Sequence, residues 1–282
     1  MIPPALPRWG AHVFLWARDA TTASFSDAID RAASLGLGWI QLSLTQPDGL
    51  DLAQLRNRAR EREIGIVSGL VLPPGLDPVQ RPIEALDVIK AAIDSTVVLG
   101  ARLLAGAIYT PLGYRGKVDP SRTRASLQQI LSGAAQLAAD AGIVIAVEPL
   151  NRYESSLINT AADALALIDE VGASSLRLQL DTFHMNIEEA DFARPIELAG
   201  PRLGFVQAAE SHRGLLGTGH VDWGALGGAL RRIDYEGPIV LETFGVGNPV
   251  LASATATWVD RIGDPDAFVR QSIAFLSETL DS

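Results

Sequence analysis

The chain contains no cysteine and only two lysines, Lys90 and Lys117. The first absence excludes disulfides, thiolate nucleophiles and cysteine-ligated metals. The second disfavours a Schiff-base aldolase, because neither lysine stands at the end of an apolar run. Basic charge is also short: 23 Lys and Arg against 33 Asp and Glu give a net charge of -10 and a pI near 4.9. That balance argues against nucleic acid or an anionic membrane as partner. Four histidines are too few for a multi-zinc nuclease centre. No uninterrupted apolar stretch approaches the ~20 residues that span a bilayer. The start, Met1–Arg8, lacks the basic segment and apolar core of a signal peptide. These absences predict a soluble, cytoplasmic protein whose partner is a small molecule.

What is present is a globular composition, 48% hydrophobic and 20% charged over 282 residues. That length suits two small domains or one α/β barrel of ~250 residues. Apolar runs and amphipathic segments alternate about eight times. The first run is Ala11–Trp16, followed by a helix over Ser24–Leu35 with Ser24 or Ser26 as cap. Later runs include 39–44, 64–72, 102–107, 143–147, 176–181, 203–207 and 238–242, with short turns between strand and helix. Near-continuous apolar strands joined by helices mean a parallel sheet covered on both faces. Eight such units, with no linker or composition shift, predict a single (β/α)8 TIM barrel over residues 1–282. A doubly wound sheet is the alternative, but Gly217-Thr218-Gly219 does not supply its phosphate-binding turn.

Chemistry in such a barrel sits where strands end. Ile143–Val147 runs directly into Glu148-Pro149, and a charge there among apolar neighbours is costly unless compensated. Alone, Glu148 reads as a salt-bridged structural residue. The next strand ends carry Asp181, Gln207 and Glu242, each directly after an apolar run. Three carboxylates and an amide oxygen form an all-oxygen set suited to a hard divalent ion. Without one, the carboxylates repel and some stay protonated.

Around them lie Glu154, His184, Arg213 and Phe244, all just past the proposed ligands. Arg213 either faces the pocket or pairs with Glu210, three residues earlier. Trp16 is either core or a sugar-facing aromatic at the barrel mouth. His12 and His220 read as structural.

The stretches Glu148–Glu154 (EPLNRYE), Leu180–Glu189 (LDTFHMNIEE), Glu210–Gly214 (ESHRG), Gly219–Trp223 (GHVDW) and Leu241–Phe244 (LETF) resemble the ketose 3-epimerases, the D-tagatose, D-allulose and L-ribulose enzymes of the xylose-isomerase-like barrels. The resemblance covers most of the chain and is densest from 143 to 244. It implies a metal, Mn²⁺ first and Co²⁺ or Mg²⁺ as alternatives, bound by Glu148, Asp181, Gln207 and Glu242. Glu148 and Glu242 would also be the acid/base pair. Glu154, His184 and Arg213 would hold the O1–O2 end of the ketose, with Trp16 and Phe244 lining the pocket. It also implies a homodimer or homotetramer.

One position departs from the pattern: the 3-epimerases have His where this chain has Gln207. Hydroxypyruvate isomerases carry Gln in that role. Two enzymatic readings therefore stand, C3 epimerisation through an enediolate and aldose–ketose isomerisation of the hydroxypyruvate or oxo-tetronate type. A third is a non-catalytic sugar-binding barrel.

Overall fold

A computed structural model describes residues 6–45, 47–116, 119–245 and 247–280. Lys117 and the segment Met1–Ala5, used above to exclude an aldolase and a signal peptide, lie outside the described residues. The strands are β1 (Trp9–His12), β2 (Trp39–Ser43), β3 (Gly65–Gly69), β4 (Leu103–Gly106), β5 (Val144–Val147), β6 (Leu176–Asp181), β7 (Leu203–Ala208) and β8 (Ile239–Leu241). They pair in parallel in chain order, and β8 returns to β1 to close the barrel. The helices are α1 (Thr22–Ser34), α2 (Leu52–Glu61), α3 (Pro82–Val98), α4 (Pro120–Ala141), α5 (Ala161–Val171), α6 (Thr182–Glu188), α7 (Arg194–Ala199), α8 (Trp223–Arg232), α9 (Pro249–Ala254) and α10 (Pro265–Leu280). The single TIM barrel read from the alternation is the observed fold. No helix among the described residues is long and apolar enough to cross a membrane.

Local chemistry sets the boundaries. The side chains of Asp51, Thr160 and Asp222 accept the free amides that open α2, α5 and α8, and Asp163 answers Thr160 in a capping box. The cap of α1 is Thr21 rather than Ser24 or Ser26; Ser24 lies inside the first turn and donates its N–H to Thr21 Oγ1. The first strand also ends sooner than its apolar pattern suggests. After His12 the chain turns into a short 3₁₀ segment, Val13–Leu15, whose buried side chains continue the hydrophobic run in another geometry.

Alternate residues of each strand face the barrel interior. Val67, Ala105, Ala146, Phe205 and Val240 meet there as an apolar floor. Two residues above the floor on β5, β7 and β8, the same inward column brings Glu148, Gln207 and Glu242 to the cavity at the barrel mouth. The outward residues Ile145, Val147, Leu178, Leu180, Val206 and Leu241 pack under the helices in the main core. One two-residue step thus separates dry packing from a polar cluster. Gly106, at the end of β4, holds the rim beside Glu148 and accepts its N–H at 3.2 Å. Its φ is +118° and a Cβ there would lie 2.5 Å from the Leu70 carbonyl oxygen, so only glycine fits.

Candidate active site

Glu148, Asp181, Gln207 and Glu242 are 6, 1, 1 and 9% exposed. Arg213 is the cation set among them. Its Nη1 lies 2.7 Å from Glu242 Oε2 and 3.1 Å from Asp181 Oδ2. The guanidinium sits 4.1 Å from the Phe183 ring centroid and 5.2 Å from that of Phe244. The pairing with Glu210 suggested by sequence proximity does not form; Arg213 reaches across to β6 and β8 instead. Burial, with Asp181 and Glu242 confirmed in contact with one guanidinium, gives each acid a stake in the same charge.

One guanidinium does not balance three carboxylates. Burial, then the nearby Glu242 and Asp181 charges, push the Glu148 carboxyl well above its usual range. Burial likewise raises Asp181, to about 7, with Arg213 opposing the shift and Glu242 adding to it. Asp181 Oδ2 is buried and, apart from its ion pair with Arg213, receives no hydrogen bond. A divalent cation satisfies the free lone pairs of that oxygen and offsets the excess negative charge, so the donor set fits such an ion.

His184 completes a tight geometric trio. Its ring, Glu148 and Asp181 offer ligand atoms all within 4.8 Å of one another. The ring's hydrogen bonds decide against ligation. Nδ1 accepts the Asn151 backbone N–H at 3.2 Å, and burial, then the Arg213 charge, hold the ring well below its usual pKa. The neutral ring therefore carries its proton on Nε2, which lies 3.7 Å from both Glu148 Oε1 and Asp181 Oδ2. A protonated nitrogen donates; it does not ligate. Asn151 also donates to Glu154 Oε1 at 2.9 Å. Burial raises the Glu154 carboxyl, with Arg213 opposing.

Two chambers open above the cluster. The inner one, about 570 Å³, is lined by Glu148, Gln207, Glu242, His12, Gln41 and Phe14 among others. The outer one, about 630 Å³, is lined by Asn151, Glu154, Phe183 and Arg213 together with Arg115 and Trp258. Phe244, Ala254 and Thr255 line both and form the partition. Trp16 lines neither chamber; its indole N–H donates to Asp266 at 2.8 Å and its ring packs against the core. The early end of β1 explains this. His12 becomes the strand-end residue, edge-on to the Phe244 ring at 5.6 Å, so it belongs to the mouth rather than to the purely structural histidines. Its place was hidden because the following 3₁₀ turn looks like more strand. Gln41, on the inward face of β2, carried a findable signal: a lone amide inside an otherwise apolar run.

Glu210 has a different task. Its Oε1 accepts the N–H groups of Ser211 and Val221 at 2.9 and 3.2 Å, and its Oε2 those of Gly217 and the Trp223 indole at 2.9 and 3.1 Å. Burial raises this carboxyl, but the four donors prevail and hold it below its usual range. The loop so gathered holds Arg213 at φ +57°, uncommon for a non-glycine residue, and Thr243, two residues past β8, donates its hydroxyl to the Arg213 carbonyl. Glu210→Gln turns an amide N–H toward these donors. It is expected to cost about 2 kcal/mol and to lower the melting temperature by about 4–8 °C, measured by calorimetry; an unchanged melting temperature would remove Glu210 from this role.

Residues 17–279 match the xylose isomerase-like TIM barrel family. The chain is 34% identical to an L-ribulose 3-epimerase of Methylomonas sp. over 98% of both chains. It is 32% identical to a D-psicose 3-epimerase of Agrobacterium fabrum over 87% of this chain and 88% of the relative. The solved structure of a Methylomonas sp. D-allulose 3-epimerase in complex with D-allulose superimposes with a TM-score of 0.91 at 34% identity, covering 98% of each chain.

Proposed function

The chain belongs to the xylose isomerase-like TIM barrel family and is an isomerase-class enzyme akin to its ketose 3-epimerases; from that premise we propose that it inverts C3 of free ketoses of the D-allulose/D-fructose, D-tagatose or L-ribulose type. Glu148, Asp181, Gln207 and Glu242 would hold a divalent cation, an all-oxygen set that suits a hard ion such as Mn²⁺ or Mg²⁺, with Mn²⁺ as the first expectation and Co²⁺ as a further alternative. When bound, it supplies Lewis acidity that makes the C3 proton next to the carbonyl easier to remove.

The observation that carries the reading is the placement of two glutamates, from the ends of the well-separated strands β5 and β8, in one chamber. Glu242 has both oxygens engaged by donors, Gln207 at 2.6 Å and Arg213 at 2.7 Å, which suits the base that takes the C3 proton. Glu148 reaches the same chamber from the end of β5, on another side of the ring, which suits the group that returns a proton. Inversion needs one on each face of a planar enediolate, and the roles exchange in the reverse direction. His184 Nε2–H, Arg213 and Glu154 would hold the O1–O2 end, and Phe244 would wall the sugar.

Turnover of D-fructose, D-tagatose and L-ribulose in deuterium oxide with Mn²⁺ tests this. The expected product is the C3 epimer carrying solvent deuterium at C3. Gln207 favours a second reading, the hydroxypyruvate or oxo-tetronate type of isomerase. Label at C1 or C2 with appearance of an aldose would establish that one and overturn the first.

A further inference from the structure

Across the inner chamber from Glu148, β1 and β2 present a polar pair. His12 and Gln41 are registered partners on the two strands, so they stand side by side on one face of the sheet. Both are buried, and both line the chamber. His12 Nδ1 accepts the Phe14 backbone N–H at 3.3 Å, and burial holds the ring below its usual pKa against the pull of the Glu242 charge. The neutral ring therefore carries its proton on Nε2. Gln41 Oε1 accepts from the Gln207 amide at 2.8 Å, which leaves its N–H₂ as the free end. Among the described residues neither His12 Nε2 nor Gln41 Nε2 has a hydrogen-bond partner, and neither is sealed off from the chamber.

Two free donors here call for an oxygen, because Phe14, Leu70, Leu72 and Leu112 on the same walls offer none from their side chains. Ser43, two residues beyond Gln41 on β2, adds the complement. Its hydroxyl donates to Thr45 Oγ1 at 3.4 Å, and its own lone pairs stay open to accept. Two donors and one acceptor match a hydroxyl, which accepts twice and donates once. An anionic group fits less well, since it has no proton for Ser43 and shares the chamber with Glu148 and Glu242. Position says which hydroxyl. Glu154, His184 and Arg213 follow β5, β6 and β7 in the chain, and in a closed ring of eight strands β1 and β2 lie opposite β5 and β6. An open-chain ketose with its first two oxygens held on one side runs toward the other, and its terminal carbon arrives at His12 and Gln41.

We propose that His12, with Gln41 beside it, binds the terminal O6 hydroxyl of a ketohexose and selects six-carbon ketoses, a role that rests on the reading of Glu154, His184 and Arg213 as holders of the O1–O2 end. A ketopentose ends one carbon short of the pair and leaves both donors without an acceptor from the sugar. A 6-deoxy sugar brings a methyl group to the same place. Either loss leaves a buried polar group unpaired, which is the larger part of what a hydrogen bond is worth in discrimination.

Turnover of D-fructose and D-tagatose, each beside its 6-deoxy derivative and with Mn²⁺ present, reads the contact. The unaltered enzyme is expected to prefer the hydroxylated sugar in kcat/KM about tenfold, the worth of one hydrogen bond. His12→Phe keeps a ring and loses the donor. It is expected to lower kcat/KM about tenfold for the ketohexose and less than about twofold for the 6-deoxy sugar, which erases the preference. His12→Gln, whose amide nitrogen stands near the place of Nε2, is expected to keep the preference within about threefold. A His12 that only packs against Phe14 and Phe244 would cost both sugars equally in His12→Phe, and that pattern overturns the proposal. So does an unaltered enzyme that handles both sugars alike, or one that turns over L-ribulose alone, and neither result needs a variant to fold. Calorimetric binding of the same sugars by the Mn²⁺-loaded protein carries the comparison independently of turnover. Failure of the C3 reading looks different: solvent deuterium would appear at C1 or C2, and the preference for the 6-hydroxyl would be read on that reaction.

Discussion

Glu242→Gln is expected to lower ketose turnover about 10³-fold, the middle of the range that a positioned general base contributes, equivalent to about 4 kcal/mol of barrier. The substitution keeps the volume of the side chain and removes its charge. It also replaces one oxygen by an N–H₂ beside either Arg213 or Gln207, both of which now donate to Glu242. The variant is expected to fold, because the floor of Val67, Ala105, Ala146, Phe205 and Val240 and the helix packing are untouched. Steady-state rates with the best ketose, beside a melting curve, check both statements. Turnover within threefold of the unaltered enzyme would remove Glu242 from proton transfer.

Removal of the divalent cation is expected to abolish turnover and to destabilise the protein more at high pH than at low. Asp181 titrates near 7 in the fold, against an ordinary 3.8, and Glu148 is shifted in the same direction by burial. Between these values the metal-free folded state holds a proton that the unfolded chain releases. Its stability is therefore greatest below about pH 4 as far as these groups are concerned, and declines as pH rises through 7. For Asp181 alone the loss is on the order of 4 kcal/mol by pH 8. A bound cation stands in for the missing proton, so its protective effect should grow with pH. Melting temperatures with and without Mn²⁺ at pH 5.5 and pH 8 measure this. A larger metal-induced rise at pH 5.5 than at pH 8 would contradict it.

The sites legible in the sequence were those announced by a break in a simple pattern. Glu148, Asp181, Gln207 and Glu242 each interrupt an apolar run at the point where the strand meets its loop, and the two-residue alternation then obliges them to share the barrel mouth. Trp16 escaped the same logic because Val13–Leu15 is apolar whether it continues a strand or turns into 3₁₀ geometry. Arg213 was misleading in another way. Chain proximity favours Glu210, but the Glu210 carboxylate is filled by four donors from its own loop and α8, which leaves Arg213 to Asp181 and Glu242. The direction of the Gln207 amide and the proton position on His184 depend on partners 28 to 166 residues away, and no local pattern encodes them.

The pairing of β8 with β1 also sets a moment in the life of the molecule. Its registered partners, from Trp9 with Ile239 to Ala11 with Leu241, join opposite ends of the chain, and Glu242 follows directly after the last of them. Such distant contacts are slow to form and are made late. The acidic cluster at the mouth is therefore complete only once the two ends of the chain have met and the ring has closed.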